Sequence, residues 1–365
     1  MRRRTDRNAA DRNPLPAPAL NQTAMYLQSL ASAFPPHRYT QPEIWELLSV
    51  SPRLNALSRR GVKILETVLT GNSGIDTRHF ALPPQDIFSL DAQGLNEAFE
   101  AEAPRLAGKA LAKACEQAGI TPQDLDALFV CTCTGYLCPG LSSYIGEQMN
   151  LRPEAVLHDL SGLGCGAAIP TMQAAQGYLA AQPDAVVATL AIETASSAFY
   201  LSDDAGVLVS ACLFGDGSSA SIWRGQGQPG QWKAGHFRSL HVPAQREKIR
   251  FVNRQGYLCN QLHRDVPVVA AEAVDKIFAT RTADPAAIIA HSGGRDVIDA
   301  IEQKIPQYPL RETREGLRKY GNLSSPSVMI ALEDRLGQNN AEDKLLWLTG
   351  FGAGFAAHSC ELSRE

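Results

Sequence analysis

Short apolar runs that alternate with longer helical segments constrain this chain more than any other feature of its sequence. Residues 126–133, 185–192, 286–290 and 344–349 are rich in Val, Ile, Leu and Ala, which is typical of strands buried on both faces of a sheet. Residues 94–118 have the spacing and the Ala and Leu content of a long helix. Strands that alternate with helices indicate a layered α/β fold.

Three further patterns predict local structure. Residues 54–69 have the spacing of one helix with a basic cluster, and residues 324–336 have that of another helix. Residues 207–222 surround a Gly-Asp-Gly sequence, and we interpret them as strand, turn and strand.

The chain of 365 residues is long enough for two domains. Residues 225–235 are rich in Gly and Gln and form the best internal boundary. We therefore expect a tail, residues 1–22, followed by two halves, residues 23–228 and 229–365. The tail is rich in Arg and punctuated by Pro, so we expect disorder; an arginine-rich arm for an anionic surface is the alternative.

Composition excludes several classes of protein. The net charge of −4 argues against nucleic acid as the main partner, and the 44% hydrophobic content argues against a disordered chain. The sequence contains neither the roughly 18 apolar residues of a membrane span nor the apolar run of a secretory signal. We therefore expect a cytoplasmic protein in which the eight cysteines are reduced.

Cys165 differs from the other cysteines because it lies in a Gly-rich turn, GLGCG, at the start of an apolar helix. The positive end of a helix dipole favours the thiolate, and flanking glycines allow a substrate to approach closely. A buried cysteine in a packed strand–helix corner is the structural alternative. The spacing of Cys131, Cys133 and Cys138 lacks the second ligand pair of a zinc site, so we expect no metal.

Two polar residues at other glycine-marked junctions strengthen the catalytic interpretation. His291 ends an apolar strand and enters Ser-Gly-Gly, which places it at a crevice. Asn322 follows Gly321 just before a helix, where a turn or N-cap residue is the structural alternative.

Cys, His and Asn in this order resemble the thiolase-fold condensing enzymes, and most closely the type III polyketide synthases, the chalcone synthase-like family. The matching segments follow one another in chain order over about residues 24–362. They are GIDTRHFALP (74–83), CTCTGYLCPG (131–140), GLGCGAAIP (162–170), LFGDG (213–217), HSGG (291–294), YGNLSS (320–325) and GFGAGF (350–355). The resemblance implies a thiolase-like fold in which two related α/β halves form an αβαβα arrangement.

The resemblance also implies a chemistry. Cys165 would take an acyl group from a CoA thioester, and His291 would keep its thiol ionised. His291 and Asn322 would donate hydrogen bonds to the thioester carbonyl of malonyl-CoA, stabilising the enolate left by decarboxylation. The enolate would extend the acyl chain, and the product would cyclise to a pyrone or to a resorcinol- or phenol-type ring. No cofactor is implied.

Further site residues come from the resemblance alone. Phe214 matches the aromatic gate between the CoA tunnel and the cavity. The cavity-lining positions are Cys133, Thr134, Cys138, Glu193, Ala195, Ala198, Ser324 and Gly352. The CoA-binding positions are Arg59, Arg60, Lys63 and Arg295, although a solvated helix face explains the first three equally well. The family is homodimeric, with Cys138 near the two-fold interface.

The chain departs from the plant enzymes at several cavity positions. The second gating Phe has no clear counterpart, and Cys259 or Asn260 lies near its place. A single-round β-ketoacyl synthase that acts on acyl-CoA or on acyl carrier protein is the alternative function. The HSGG sequence disfavours the carrier-protein-dependent type, which has Pro-His-Gln-Ala-Asn at this point. A non-catalytic scaffold subunit would be expected to lack Cys165, His291 or Asn322.

Overall fold

The computed structural model describes residues 24–83 and 86–364, so the predicted tail lies outside the described residues. These residues form ten α-helices and thirteen strands. The strands are β1 Met25–Ala33, β2 His37–Thr40, β3 Thr77–Phe80, β4 Ala127–Cys131, β5 Val156–Leu160, β6 Val186–Glu193, β7 Gly217–Arg224, β8 Lys233–His241, β9 Ile249–Arg254, β10 Tyr257–Leu262, β11 Ala287–Ala290, β12 Leu345–Gly352 and β13 Ala356–Ser363. The helices are α1 Gln41–Ser49, α2 Arg59–Thr70, α3 Ala92–Gln117, α4 Leu141–Gln148, α5 Ala168–Ala181, α6 Ala205–Leu213, α7 Val266–Phe278, α8 Arg295–Lys304, α9 Arg311–Tyr320 and α10 Ser327–Gly337.

Nine strands form one mixed sheet in the order β11-β12-β13-β8-β1-β7-β6-β4-β5. Strand β4 runs parallel to β5 and β6, and β11 runs parallel to β12. The strands before residue 225 join those after it through a short antiparallel pairing of β1 with β8, at Met25–Ala234 and Tyr26–Lys233. The carboxyl ends of parallel strands meet at one edge of a sheet, which is where α/β proteins place their binding crevices.

Helices α5 and α10 pack in the centre of the molecule. Their apolar residues share one core with side chains of β4 and β6 from the first half and of β11 and β12 from the second. Helix α3 covers the outer face of the first group of strands. Helices α7 and α8 cover the outer face of the second group. The arrangement is the layered α/β fold that the alternation of strands and helices predicts. No helix in the described part of the chain is both long and apolar enough to cross a membrane.

Most predicted elements are present, but two interpretations are wrong. Residues 207–213 belong to helix α6 rather than to a strand, because Asp204 caps the helix by accepting hydrogen bonds from the Gly206 and Val207 N–H groups. Residues 54–69 do not form one helix. Ser58 caps α2 through the Gly61 N–H, and the preceding residues form a separate 3₁₀ turn.

Candidate active site

Cys165 lies in a single turn, Gly164–Gly166, that leads directly into α5. Gly164 has φ +59°, a left-handed conformation that favours glycine. The thiol is 6% exposed. The turn therefore presents a nearly buried sulfur at the start of a central helix, as the Gly-rich sequence predicts.

Strand β12 packs directly against this turn. A Cβ atom on Gly352 would lie 2.6 Å from the Leu163 carbonyl oxygen, 2.7 Å from the Gly166 nitrogen and 2.9 Å from the Cys165 nitrogen. All three neighbours are backbone atoms, so they cannot move aside like the end of a flexible side chain. Gly352 is thus the residue that lets β12 approach the cysteine backbone, and it lines neither of the two cavities at this site.

His291 follows the carboxyl end of β11, and its backbone N–H donates to the Thr349 carbonyl on the parallel strand β12 at 2.8 Å. The imidazole is 1% exposed and packs edge-on against the Phe351 ring, with centroids 4.9 Å apart. Its Nδ1 is buried and has no hydrogen-bond partner among the described residues. The same strand that touches the Cys165 turn therefore also fixes His291.

Asn322 lies between α9 and α10, and both polar atoms of its side-chain amide form hydrogen bonds. Its Oδ1 accepts from the Ser324 N–H at 2.8 Å, and its Nδ2 donates to the Gly293 carbonyl at 2.9 Å. Its backbone N–H donates to Leu213 O at 2.9 Å, beside a bridge to Phe214. An amide nitrogen has two N–H donors, so one remains for a bound group.

The surroundings of Cys165 favour its thiolate. The pKa of Cys165 is lowered well below its usual range, and the largest cause is a hydrogen bond from the Cys133 thiol. The positive charge and hydrogen bond of His291 and a hydrogen bond from Ser324 lower the pKa further. Together these interactions outweigh burial, which by itself would raise the pKa. The Ser324 hydroxyl donates to the sulfur at 3.2 Å. The pKa of Cys133 is raised well above its usual range because that thiol keeps its proton as the donor to Cys165 and is buried. The sequence predicted the helix start and His291 but not the donor role of Cys133.

The Glu193 carboxylate is a hydrogen-bond acceptor for several of the predicted cavity residues. Glu193 is fully buried at the end of β6, and its carboxylate accepts from the Cys133 N–H at 3.0 Å, the Thr134 hydroxyl at 2.9 Å and the Ser325 hydroxyl at 2.6 Å. The Ser324 hydroxyl also lies 3.2 Å from it. Burial raises the pKa of Glu193, opposed by these hydrogen bonds. The parallel strands β4 and β6 bring this cluster together at their carboxyl ends.

Two cavities meet at the site. The larger, about 760 Å³, is lined by Cys165, Phe214, His291, Asn322, Arg264 and Arg295, among others. The smaller, about 40 Å³, is lined by residues that include Cys133, Thr134, Ala195, Ala198, Phe214, Asn260 and Ser324. Phe214 lines both, which fits an aromatic side chain between a substrate channel and a deeper chamber.

The structure does not bring all predicted residues to these cavities. Arg59, Arg60 and Lys63 lie at the exposed start of α2, where Lys63 pairs with Glu66 at 2.9 Å, whereas the large cavity touches the other end of that helix. Cys138 is exposed and lines neither cavity. In the described ranges, no cluster of three or more His, Cys, Asp or Glu side chains is able to hold a metal.

Sequence reasoning missed two basic residues at the large cavity. His263 and Arg264 follow β10 and line its wall. The only sequence pattern that could have indicated these residues is the His-Arg pair itself, which directly precedes Asp265 and the helical segment after Asp265. The pair lies far along the chain from the other site residues.

Comparison with known proteins decides the family. Residues 20–280 match the model described as FAE1/Type III polyketide synthase-like protein, and residues 279–363 match the C-terminal model of 3-oxoacyl-[acyl-carrier-protein] synthase III. A 3,5-dihydroxyphenylacetyl-CoA synthase from Amycolatopsis orientalis is 31% identical over 311 residues, which cover 81% of each chain. The chain belongs to the type III polyketide synthase family.

Other members share the fold and the length of this type III polyketide synthase. A 1,3,6,8-tetrahydroxynaphthalene synthase from Streptomyces griseus is 29% identical over 300 residues, covering 79% of this chain and 80% of the relative. The solved structure of PKS-I from the brown alga Ectocarpus siliculosus superposes with a TM-score of 0.86 at 21% identity, covering 94% of this chain and 99% of that one. The predicted thiolase-like fold is therefore confirmed.

Family membership also confirms the predicted enzyme class. The chain is an acyltransferase-type condensing enzyme of secondary metabolism, and the family uses CoA thioesters without a further cofactor.

The lowered pKa of Cys165 predicts selective alkylation at low pH. A thiolate persists above its own pKa, so Cys165 should react with iodoacetamide at pH 6, where a thiol of ordinary pKa is almost fully protonated. Cys131 and Cys212 should stay unreacted, because burial raises the pKa of each to about 12. Peptide mass spectrometry across pH 5–9 measures this, and an inflection for Cys165 near pH 8.5 would contradict the assignment. Cys133→Ala should move the inflection upward.

The contact at Gly352 predicts a steric effect. Gly352→Ala should destabilise the protein by about 1–3 kcal/mol and slow acylation of Cys165 at least tenfold, because backbone atoms must move. Gly177→Ala in α5 is the matched control, since no atom lies within 4 Å of its added methyl group. That variant should be neutral or more stable. Equal behaviour of the two variants in thermal unfolding and in acylation would refute this role.

Proposed function

We propose that Cys165 takes an acyl group from an acyl-CoA and that the chain then extends it by decarboxylative condensation with malonyl-CoA. The observation that carries the proposal is the meeting of Cys165, His291 and Asn322 on one cavity of about 760 Å³. The lowered pKa of the cysteine supports its role as the nucleophile.

In the loading step, the Cys165 thiolate attacks the thioester carbonyl of the starter. The C–S bond to CoA breaks, CoA leaves as a thiolate that takes a proton, and the acyl group remains on Cys165. The hydrogen bonds from Cys133 and Ser324 stabilise the thiolate before attack, and the developing oxyanion needs separate donors.

In the extension step, His291 and the free N–H of Asn322 donate to the thioester carbonyl of malonyl-CoA. Loss of CO₂ leaves an electron pair that delocalises onto this oxygen as an enolate, which the two donors stabilise. The enolate carbon attacks the acyl thioester on Cys165, the carbon–sulfur bond breaks, and the thiolate is restored. Because Asn322 is fixed through Ser324 and Gly293, it does not have to reorganise as charge develops.

We propose a phenol- or resorcinol-type product, with a pyrone as the alternative ring closure. Relatives of this chain include a 3,5-dihydroxyphenylacetyl-CoA synthase, a 1,3,6,8-tetrahydroxynaphthalene synthase and, from Pseudomonas fluorescens, a phloroglucinol synthase. The small chamber beyond Phe214 is only about 40 Å³, so we propose that the growing chain cyclises in the larger cavity of about 760 Å³, which Phe214 also lines.

Positive charge at the large cavity supports a site for the CoA phosphates. Arg264 and Arg295 line this cavity, so we propose that they bind the nucleotide end of the substrate. Arg59, Arg60 and Lys63 remain weaker candidates, because they lie at the far end of α2.

We propose a cytoplasmic homodimer. The free cysteines, with a thiolate required at Cys165, suit a reducing compartment. Tyr136, which is 74% exposed, and Cys138 lie together on the surface near the interface that the family implies. Sedimentation should give twice the chain mass of 39.4 kDa, and a single 39.4 kDa species at micromolar concentration would argue against the dimer.

The catalytic roles predict separable defects. An acyl-CoA starter should add one acyl mass to Cys165, and Cys165→Ala should abolish the adduct. Asn322→Ala should slow malonyl-CoA decarboxylation by about 10²–10³ while reducing starter loading far less, because the lost donor serves the enolate. Intact-protein mass spectrometry and CO₂ release measure the two steps. An adduct on another residue, or equal loss of both steps in Asn322→Ala, would overturn the assignment.

A further inference from the structure

Strand β11, which leads to His291, lies at the edge of the nine-stranded sheet. It pairs with β12 on one side, and no strand in the described part of the chain pairs with its other side. The His291 N–H donates to the Thr349 carbonyl on β12, so it is satisfied within the sheet. The N–H and C=O of Ala290, one residue earlier, find their partner elsewhere. Ala290 is fully buried, so that partner has to be inside the protein.

The Thr313 hydroxyl on α9 bonds to both of these backbone groups. Its Oγ1 accepts from the Ala290 N–H at 3.0 Å and donates to the Ala290 carbonyl at 3.1 Å. A hydroxyl can donate and accept at once, so one small side chain satisfies both groups of the same residue. Thr313 is 1% exposed, so it takes the place of a further strand at the last residue of β11.

The first turn of α9 is itself firmly attached. Glu312, directly before Thr313, is 6% exposed and pairs with Arg335 on α10 at 3.0 Å. Arg335 also donates to both carboxylate oxygens of Asp343, each at 2.8 Å. Bidentate charge-assisted bonds of this kind have a fixed geometry. Thr313 is therefore a rigid support for the end of β11.

Helix α9 also leads to the second proposed donor. Asn322 comes two residues after the last residue of α9, and its Nδ2 donates to the carbonyl of Gly293, two residues after His291. The segment that carries His291 is thus attached on both sides. Ala290 before it is bonded to the start of α9, and Gly293 after it is bonded to Asn322 just beyond the end of α9.

We propose that Thr313 is a positioning residue for His291, because its hydroxyl fixes the end of β11 and so holds the imidazole beside Cys165 and Asn322. Thr313 lines neither cavity of the active site, so it acts through His291 rather than on the substrate. The inference rests on the proposed role of His291 in decarboxylation and adds a residue on which that role depends.

The exchange of Thr313 for Val tests the hydroxyl, since the two side chains have nearly the same shape. Thr313→Val should lower kcat for malonyl-CoA decarboxylation about tenfold or more and leave KM within about threefold, because a misplaced catalytic group costs rate more than binding. Thr313→Ser keeps the hydroxyl and should retain at least about half of the wild-type kcat. Wild-type kcat in Thr313→Val, or equal impairment of Thr313→Ser, would overturn the proposal.

Alkylation of Cys165 reports the place of His291 without malonyl-CoA. The charge and hydrogen bond of His291 lower the pKa of Cys165, alongside hydrogen bonds from Cys133 and Ser324. Loss of the His291 contribution raises that pKa, so Thr313→Val should move the iodoacetamide inflection of Cys165 upward, in the same direction as His291→Ala. An unmoved inflection in a folded Thr313→Val variant would contradict the positioning role.

Thr189→Val is the matched control for a merely structural effect. Thr189 on β6 is 5% exposed, and its hydroxyl is bonded to the Ser221 hydroxyl at 2.7 Å and to the Trp223 indole N–H at 3.0 Å. Its loss should lower the unfolding temperature while the Cys165 inflection and the kcat for decarboxylation stay as in the wild type. The same upward shift in Thr189→Val as in Thr313→Val would refute a specific role for Thr313.

His291→Ala separates this inference from the proposed function. If decarboxylation is impaired in His291→Ala but not in Thr313→Val, the positioning role alone is wrong. If His291→Ala decarboxylates as the wild type does, the proposed function is wrong as well. Should Thr313→Val not fold, Thr313→Ala removes the hydroxyl without placing a methyl group in its position. That variant should show the same loss of kcat, and a wild-type kcat would overturn the inference.

Discussion

The close approach of β12 to the Cys165 turn is the constraint on which the rest of the site depends. Gly352 belongs to the second half of the chain, and the turn belongs to the first. The two segments pack backbone against backbone at Gly352, where there is no room for a Cβ atom. Strand β11 is in register with β12, so the same contact also places His291 opposite the sulfur. Cys165 and His291 are therefore aligned by backbone packing rather than by a long side chain.

The second organising interaction is electrostatic. Burial opposes an ionised Cys165, yet the donors around the sulfur outweigh it. Cys133 serves as one donor because it keeps its own proton. The Ser324 hydroxyl oxygen lies 3.1 Å from Cys133 Sγ and 3.2 Å from Cys165 Sγ, so it connects both sulfurs to the Glu193 cluster. A buried site of this kind has strong interactions and little water to weaken them.

Much of the fold and the presence of Cys165, His291 and Asn322 at element junctions could be predicted from the sequence, because buried strands and glycine turns leave local patterns. Helix α6 was misjudged because its residues are almost uniformly apolar, so neither a helical nor a strand period distinguishes them. The donor role of Cys133 and the place of Arg264 depend on contacts between residues distant in the chain. Propensity and spacing carry no information about such contacts.

We propose that this chain builds a polyketide through repeated condensation at one cysteine. Incubation of the wild-type enzyme with a panel of starter acyl-CoAs and ¹³C-labelled malonyl-CoA, with products analysed by mass spectrometry, tests it most directly. Cyclised products that contain at least two labelled two-carbon units are expected. A product with one labelled unit for every starter would contradict it and indicate a single-round β-ketoacyl synthase.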